Sequence, residues 1–250
     1  MRIGIILVDL DNYGDFRSTG KGGPKQHHIS LAIEQLIYGT CDWVIQHPRL
    51  AQELHFRFYS GWYHSSTRNI TNDRYSMVTS ALSNIPGIYK KIRLNFKIID
   101  SLAIATEKIF FSTVQSQPFR TKIRIREDSF RNCKNTSNCS MKIAHDWLID
   151  GCAQPCGIKP SNVLEQELQK TIDTSIVCDM IHYASSNEYE FIGIVSGDYD
   201  LIPGIVYALR INSNVVLFRK NEDMHYDNLI TDCEIVPGFI ADYSPLRRRL

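Results

Sequence analysis

The sequence predicts an α/β fold in which helices cover both faces of a mostly parallel sheet. Three observations lead there. Two short apolar runs, Ile5-Ile6-Leu7-Val8 and Phe191-Ile192-Gly193-Ile194-Val195, read as strands buried on both sides, as parallel sheets require. Segments with apolar residues at helical spacing lie between such runs, so strand and helix alternate. Both runs end in acidic turns, Asp9-Leu10-Asp11-Asn12 and Ser196-Gly197-Asp198-Tyr199-Asp200. The carboxyl ends of strands are where open parallel sheets bind ligands.

Taken in order, residues 2–9 form the first strand, and a polar, glycine-bearing stretch runs from Tyr13 to Lys25. Ile29, Ala32, Ile33, Leu36 and Ile37 then recur at the spacing of one helical face, so a helix starts near His28. Residues 53–60 (ELHFRFYS) read as the second strand. A helix follows from about Asn72 to Leu82, closed by the turn signal Asn84-Ile85-Pro86-Gly87. In 92–98 the apolar Ile92, Leu94, Phe96 and Ile98 alternate with Arg93, Asn95 and Lys97, which gives a strand with one wet face.

The rhythm breaks over 101–160. A helix or strand near 102–111 leads into the alternating run Thr121-Lys122-Ile123-Arg124-Ile125-Arg126, then into a polar, cysteine-bearing segment at 131–157. This stretch reads as an insertion with a small β element. The rhythm resumes with a helix from about Leu168 to Ser185, a strand at 189–196, and a helix with Pro203 in its first turn. A strand at 214–219 and a weaker one at 234–240 complete the pattern. The chain is expected to be one domain over 1–250, with an insertion at about 101–160.

Composition narrows the function classes. At 250 residues the chain can bury a full α/β core. A net charge of +1 gives no global field, so affinity for nucleic acid must come from a local patch. No apolar stretch is long enough to span a bilayer, so no membrane role is expected. The chain opens directly into a strand, without a basic segment, apolar core and cleavage site. Seven cysteines, an odd number, then point to reduced thiols and a cytoplasmic location.

The acidic turns carry the chemistry. Carboxylates at two neighbouring strand ends repel each other unless a cation lies between them. Hard ions, Mg²⁺ or Mn²⁺, suit carboxylate and water oxygen. A third source lies on the helix before the 189–196 strand, where Lys170, Asp173, Val177, Met180 and Ala184 share one stripe at helical spacing. A helix feeding that strand starts beside the strand ends, so Asp173 faces the same pocket as Asp9 and Asp198. Asp179, about 120° around the helix, is expected behind the site or outward. Asn12 and Ser196 can hydrogen-bond a carboxylate or a phosphate oxygen. Asp200 reads either as a further ligand or as the N-cap of the helix that follows. Convergent carboxylates around a hard cation are the apparatus of phosphodiester cleavage, with one ion or two about 4 Å apart.

These residues resemble a known family. Val8-Asp9-Leu10-Asp11-Asn12, Lys170-Thr171-Ile172-Asp173, Asp179 and Val195-Ser196-Gly197-Asp198-Tyr199-Asp200 are similar to the ordered motifs of NYN domains, members of the PIN-like nuclease superfamily. The likeness covers 1–12 and about 168–220, and the middle only by fold rhythm. It implies a Rossmann-like, three-layer (PIN-like) fold and a Mg²⁺- or Mn²⁺-dependent nuclease, usually acting on RNA. Carried over by position, Asp9, Asp173, Asp198 and Asp200 would be metal ligands. Asn12 and Ser196 would be supporting polar residues, Asn12 within the catalytic set and Ser196, with Lys170, in contact with the substrate. Leu201 stands where the family often has phenylalanine, and Asp11 occupies a variable position.

Two further groups are candidates. Lys122, Arg124 and Arg126 project from one face of their strand, either to hold phosphate backbone or to guard an exposed edge. Cys133, Cys139, Cys152 and Cys156 could hold a structural Zn²⁺, although their spacings of six and four are wider than a tight knuckle; otherwise they are reduced thiols. The sequence thus favours a metal-dependent endoribonuclease with RNA as partner. One alternative is a non-catalytic RNA-binding module. The other is a phosphohydrolase of the haloacid-dehalogenase type with Asp9 as nucleophile, although Ile202 stands where that family needs its last aspartate.

Overall fold

The computed structural model describes residues 1–12, 26–64, 72–100, 102–103, 113–118, 140, 143–144, 146–147, 165–211, 214–220 and 236–240. Its strands are β1 (Ile3–Asp9), β2 (Glu53–Tyr59), β3 (Tyr63–His64), β4 (Ile88–Tyr89), β5 (Ile92–Ile98), β6 (Thr113–Pro118), β7 (Glu165–Lys170), β8 (Phe191–Val195), β9 (Val215–Lys220) and β10 (Val236–Ile240). Its helices are α1 (Gln26–Gln46), α2 (Asn72–Ser83), α3 (Ile172–Ser186) and α4 (Ile202–Arg210), with a short 3-10 turn at Tyr199–Leu201.

Seven strands form the main sheet in the order β10-β9-β8-β1-β2-β5-β4. The pairs β10–β9, β9–β8, β8–β1, β1–β2 and β2–β5 are parallel, and only the two-residue β4 runs antiparallel. From β1 the chain winds one way through β2 and β5, and later the other way through β8, β9 and β10. Strand order therefore reverses between β1 and β8, the place where a doubly wound sheet opens a crevice.

Side chains alternate across β1, and two cores result. Ile6 and Val8 pack with Leu36, Ile37, Phe56, Phe58 and Phe218 on the α1 and α2 side. Ile5 and Leu7 pack with Ile176, Met180, Ile194, Ile205 and Leu217 on the α3 and α4 side. Helices on both faces of a mostly parallel sheet match the predicted class. Gly193 marks how tightly the first core closes. A Cβ there would meet Ile6 Cδ1 at 2.5 Å and Phe218 Cε2 at 2.9 Å. Gly193→Ala is expected to cost about 1–3 kcal/mol of stability in urea denaturation.

The chain divides into two compact units, Met1–Val114 with Gln169–Leu250, and Gln115–Leu168. Strands β6 and β7 carry the chain from one to the other. The predicted elements at 102–111 and 121–126 lie outside the described residues. So do Lys122, Arg124 and Arg126, and Cys133, Cys139, Cys152 and Cys156. One boundary differs from expectation. The helix expected from Leu168 starts only at Ile172, because residues 165–170 pair as strand β7. Among the described residues, no helix is long and apolar enough to cross a membrane.

Candidate metal centre

The centre assembles at the β1–β8 crevice. Asp9 closes β1, and Ser196 follows β8 directly. The register Val8↔Val195 sets these two residues side by side. Asp198 lies two residues further, and the Ser196 hydroxyl accepts its backbone N–H at 3.0 Å. Asp173 comes from the first turn of α3. That helix runs antiparallel to the strands it covers, so it begins at their carboxyl ends. Thr171, before it, sits at φ 70°, a left-handed conformation that is costly for a β-branched residue. The sharp entry brings Asp173 over the sheet edge.

Asp9, Asp173 and Asp198 each offer one carboxylate oxygen, and the three oxygens lie within 4.8 Å of one another. Ligands on opposite sides of one hard cation stand about 4–5 Å apart, so the three fit a shared ion. The donor set is all oxygen, which suits Mg²⁺ or Mn²⁺ rather than a soft metal.

Asp9 is 1% exposed, and each of its carboxylate oxygens accepts two hydrogen bonds. Its Oδ2 accepts the Asn12 Nδ2 amide and the Ser196 hydroxyl, both at 2.8 Å. Its Oδ1 accepts the backbone N–H groups of Asp11 and Asn12 at 3.2 Å. The Asn12 amide also donates to Asp198 Oδ2 at 2.9 Å, so a single side chain spans two of the three carboxylates. Burial nevertheless pushes the Asp9 carboxyl above its usual range, against these donors. Asp173 is lifted further, to about 6, by burial and by the charges of Asp9, Asp198, Asp200 and Asp11. Such a shift marks a group whose ionised form is disfavoured by burial and by like charge. Asn12→Ala is expected to weaken Mn²⁺ binding by about 10–100-fold, read by electron paramagnetic resonance titration, because the span between Asp9 and Asp198 is lost.

Other expected residues fall differently. Asp200 is exposed and stands apart from the three clustered carboxylates. Its backbone N–H donates to Asp198 Oδ1 at 2.9 Å, and α4 is capped by Leu201 without a side-chain cap. Asp200 therefore orients Asp198 through its main chain. Lys170 ends β7 and lies outside α3, so the Lys-x-x-Asp spacing crosses an element boundary and does not share one helical face. Asp179 does not point outward. It is fully buried, accepting the Tyr59 hydroxyl at 2.8 Å and the Ala103 N–H at 2.7 Å. Ile172, Ile176, Asp179, Met180 and Tyr183 form the stripe on which α3 rests, and Asp173 sits at its margin.

One feature escaped the sequence. Arg74, in the first turns of α2, pairs with Asp11 Oδ1 and donates to Ser60 Oγ at 3.2 Å. A cation thus balances the fourth carboxylate near the centre. Arg74 is 63 residues from Asp11, and no local pattern announces the pair. Comparison with known proteins adds nothing to the geometry: no family model matches the chain, and neither the curated proteins nor the solved structures yield a match.

Proposed function

We propose that this chain is a metal-dependent nuclease of the NYN type within the PIN-like superfamily, an endoribonuclease that cuts RNA phosphodiester bonds with Mg²⁺ or Mn²⁺. The observation that carries the reading is the convergence of Asp9, Asp173 and Asp198, from three distant stretches of chain, at the crevice where strand order reverses. Three carboxylates drawn together, one buried and two half-buried, repel one another, and a divalent cation between them offsets that cost.

A bound ion supplies charge neutralisation at the scissile phosphate and a more acidic water. The chain's own residues do the positioning. Asp9, immobilised by four donors, gives a ligand oxygen of fixed direction. Asn12 holds Asp198 in step with Asp9. Ser196 ties the β8 turn to both, through a hydroxyl that donates to Asp9 and accepts from the Asp198 N–H. Asp173, with fewer constraints, completes the set from the helix side. Arg74 neutralises Asp11 and so limits the repulsion that an incoming phosphate meets.

The test is incubation of the wild-type chain with labelled single-stranded RNA, hairpin RNA and single-stranded DNA, in Mn²⁺ and in chelator. Internal cleavage of RNA that needs the metal is the expected result. RNA that binds yet stays intact on every substrate, in both Mg²⁺ and Mn²⁺, would replace the nuclease with a binding module. A phosphate trapped covalently on Asp9 would replace it with a phosphohydrolase.

A further inference from the structure

One half of one sheet face is polar, where a doubly wound fold normally lays an apolar helix. Alternate residues of β2 (Glu53, His55, Arg57, Tyr59) and β5 (Arg93, Asn95, Lys97) project to the side that α3 and α4 cover elsewhere. Tyr59 and Ile99 belong to the α3-side core, whereas Leu54, Phe56 and Phe58 belong to the other. Only Tyr59 of this β2 set is sealed, by Asp179 of α3. Arg93, Asn95 and Lys97 are exposed.

The cations are organised. Register sets Arg57 beside Lys97 and Glu53 beside Arg93. Arg57 Nη1 reaches Asn95 Oδ1 and the Phe56 carbonyl, both at 3.4 Å, and its charge lies near the Tyr183 and Tyr189 hydroxyls of the α3 region. The Tyr189 ring in turn meets His55 and Tyr183 edge to face, at 5.7 and 5.2 Å. Glu53, at the base of the strip, is engaged by His55 Nε2 at 2.6 Å. Glu188 and Glu190, both exposed, are further acids toward that end. Arg93 stands level with Glu53, and four residues further along the strands Arg57 and Lys97 stand side by side, with the buried Asp179 of α3 near Lys97, so the exposed cations run as a strip from base to top. Ile88, 62% exposed and paired with Arg93, adds an apolar shelf at its edge.

All these strands point toward the carboxylate edge. Lys97 and Arg57 share a level two residues short of Tyr59, which pairs with Asp9. The strip therefore ends roughly 7 Å below the level of the metal centre. We propose that the Arg57–Arg93–Lys97 strip is the binding track for the sugar–phosphate backbone of a single-stranded RNA substrate, leading one end of it to the carboxylates. The inference rests on the nuclease reading for the identity of the substrate. Preorganised arginine and exposed, mobile-headed lysine are the groups that bind phosphate, and the sign of the strip is opposite to that of the backbone.

The test is the double variant Arg93→Gln/Lys97→Gln, whose changes lie on exposed side chains. The control is Arg49→Gln/Arg210→Gln, which alters net charge equally at exposed positions outside the strip. Binding of a labelled single-stranded RNA is measured in chelator, so that no cleavage intervenes, across a salt series. The strip variant is expected to bind about tenfold more weakly and to lose ~0.7 in salt slope for each phosphate contact removed. The control keeps wild-type affinity, and the Mn²⁺-induced thermal shift is unchanged in both. Equal affinity of variant and wild type, equal loss in the control, or no RNA binding by wild type overturns the proposal. So does a wild-type dimer, seen by sedimentation, that the strip variant abolishes. RNA binding that depends on the strip, without cleavage in any metal, would sink the nuclease reading and leave the track standing.

Discussion

Asp173→Asn is expected to abolish metal-dependent RNA cleavage while making the metal-free protein more stable. The two effects have one cause. Asp173 is the carboxylate whose ionisation is least supported, its carboxyl lifted to about 6 by burial and by four neighbouring acids. An amide removes that unfavourable charge and leaves volume and helix position unchanged. The gain is about 1 kcal/mol at neutral pH once solvent screening of this half-buried group is allowed for. The same change deletes one of three ligand oxygens, so the loss of cleavage should exceed the 10–100-fold typical of residues that merely support a ligand. Urea denaturation with chelator reads the first effect, and single-turnover cleavage in Mn²⁺ the second. Asp173→Asn with full activity would dismiss the centre. Asp9→Asn is a less clean probe, since a new NH₂ group would face donors that now point at Asp9.

The second large effect is the pH dependence of stabilisation by Mn²⁺. A carboxyl with a folded pKa near 6 and an unfolded value near 3.8 binds more protons folded than unfolded between those values. Metal-free stability from this group therefore falls as pH rises through that window, and levels off above it. Mn²⁺ needs the ionised form and competes with the proton. At pH 8, Mn²⁺ at a hundred times its Kd should add about 2.7 kcal/mol, or roughly 5–10 °C in Tm for a chain of this size. At pH 5 most of that shift should vanish. Asp9, also raised by burial, acts in the same direction. An equal Tm shift at both pH values would refute a carboxylate site of this kind.

Which parts were legible in the sequence follows from range. Asp9 and Asp198 were readable because each ends a buried parallel strand, a local signal. Asn12 was readable from its spacing to Asp9. Asp173 needed one more inference, that a helix leading into a parallel strand begins at the carboxylate edge. The start of α3 misled because Glu165, Glu167, Leu168 and Lys170 favour helix by propensity, yet the segment pairs as β7; tertiary pairing overrode a weak preference. The Tyr59–Asp179 bond and the Arg74–Asp11 pair span 120 and 63 residues, and no periodicity encodes either. The polar face of β5 was visible as alternation, but its meaning needed the neighbouring strand and the tyrosines in and just after α3.

The hydrogen bond from Ser196 to Asp9 joins residues 187 positions apart. On a ribosome, then, Asp9 emerges early and waits for most of the polypeptide to be made before its partners exist. A fragment released prematurely contains the central strand but no working centre. Synthesis itself keeps the three carboxylates apart until the last third of the protein has docked.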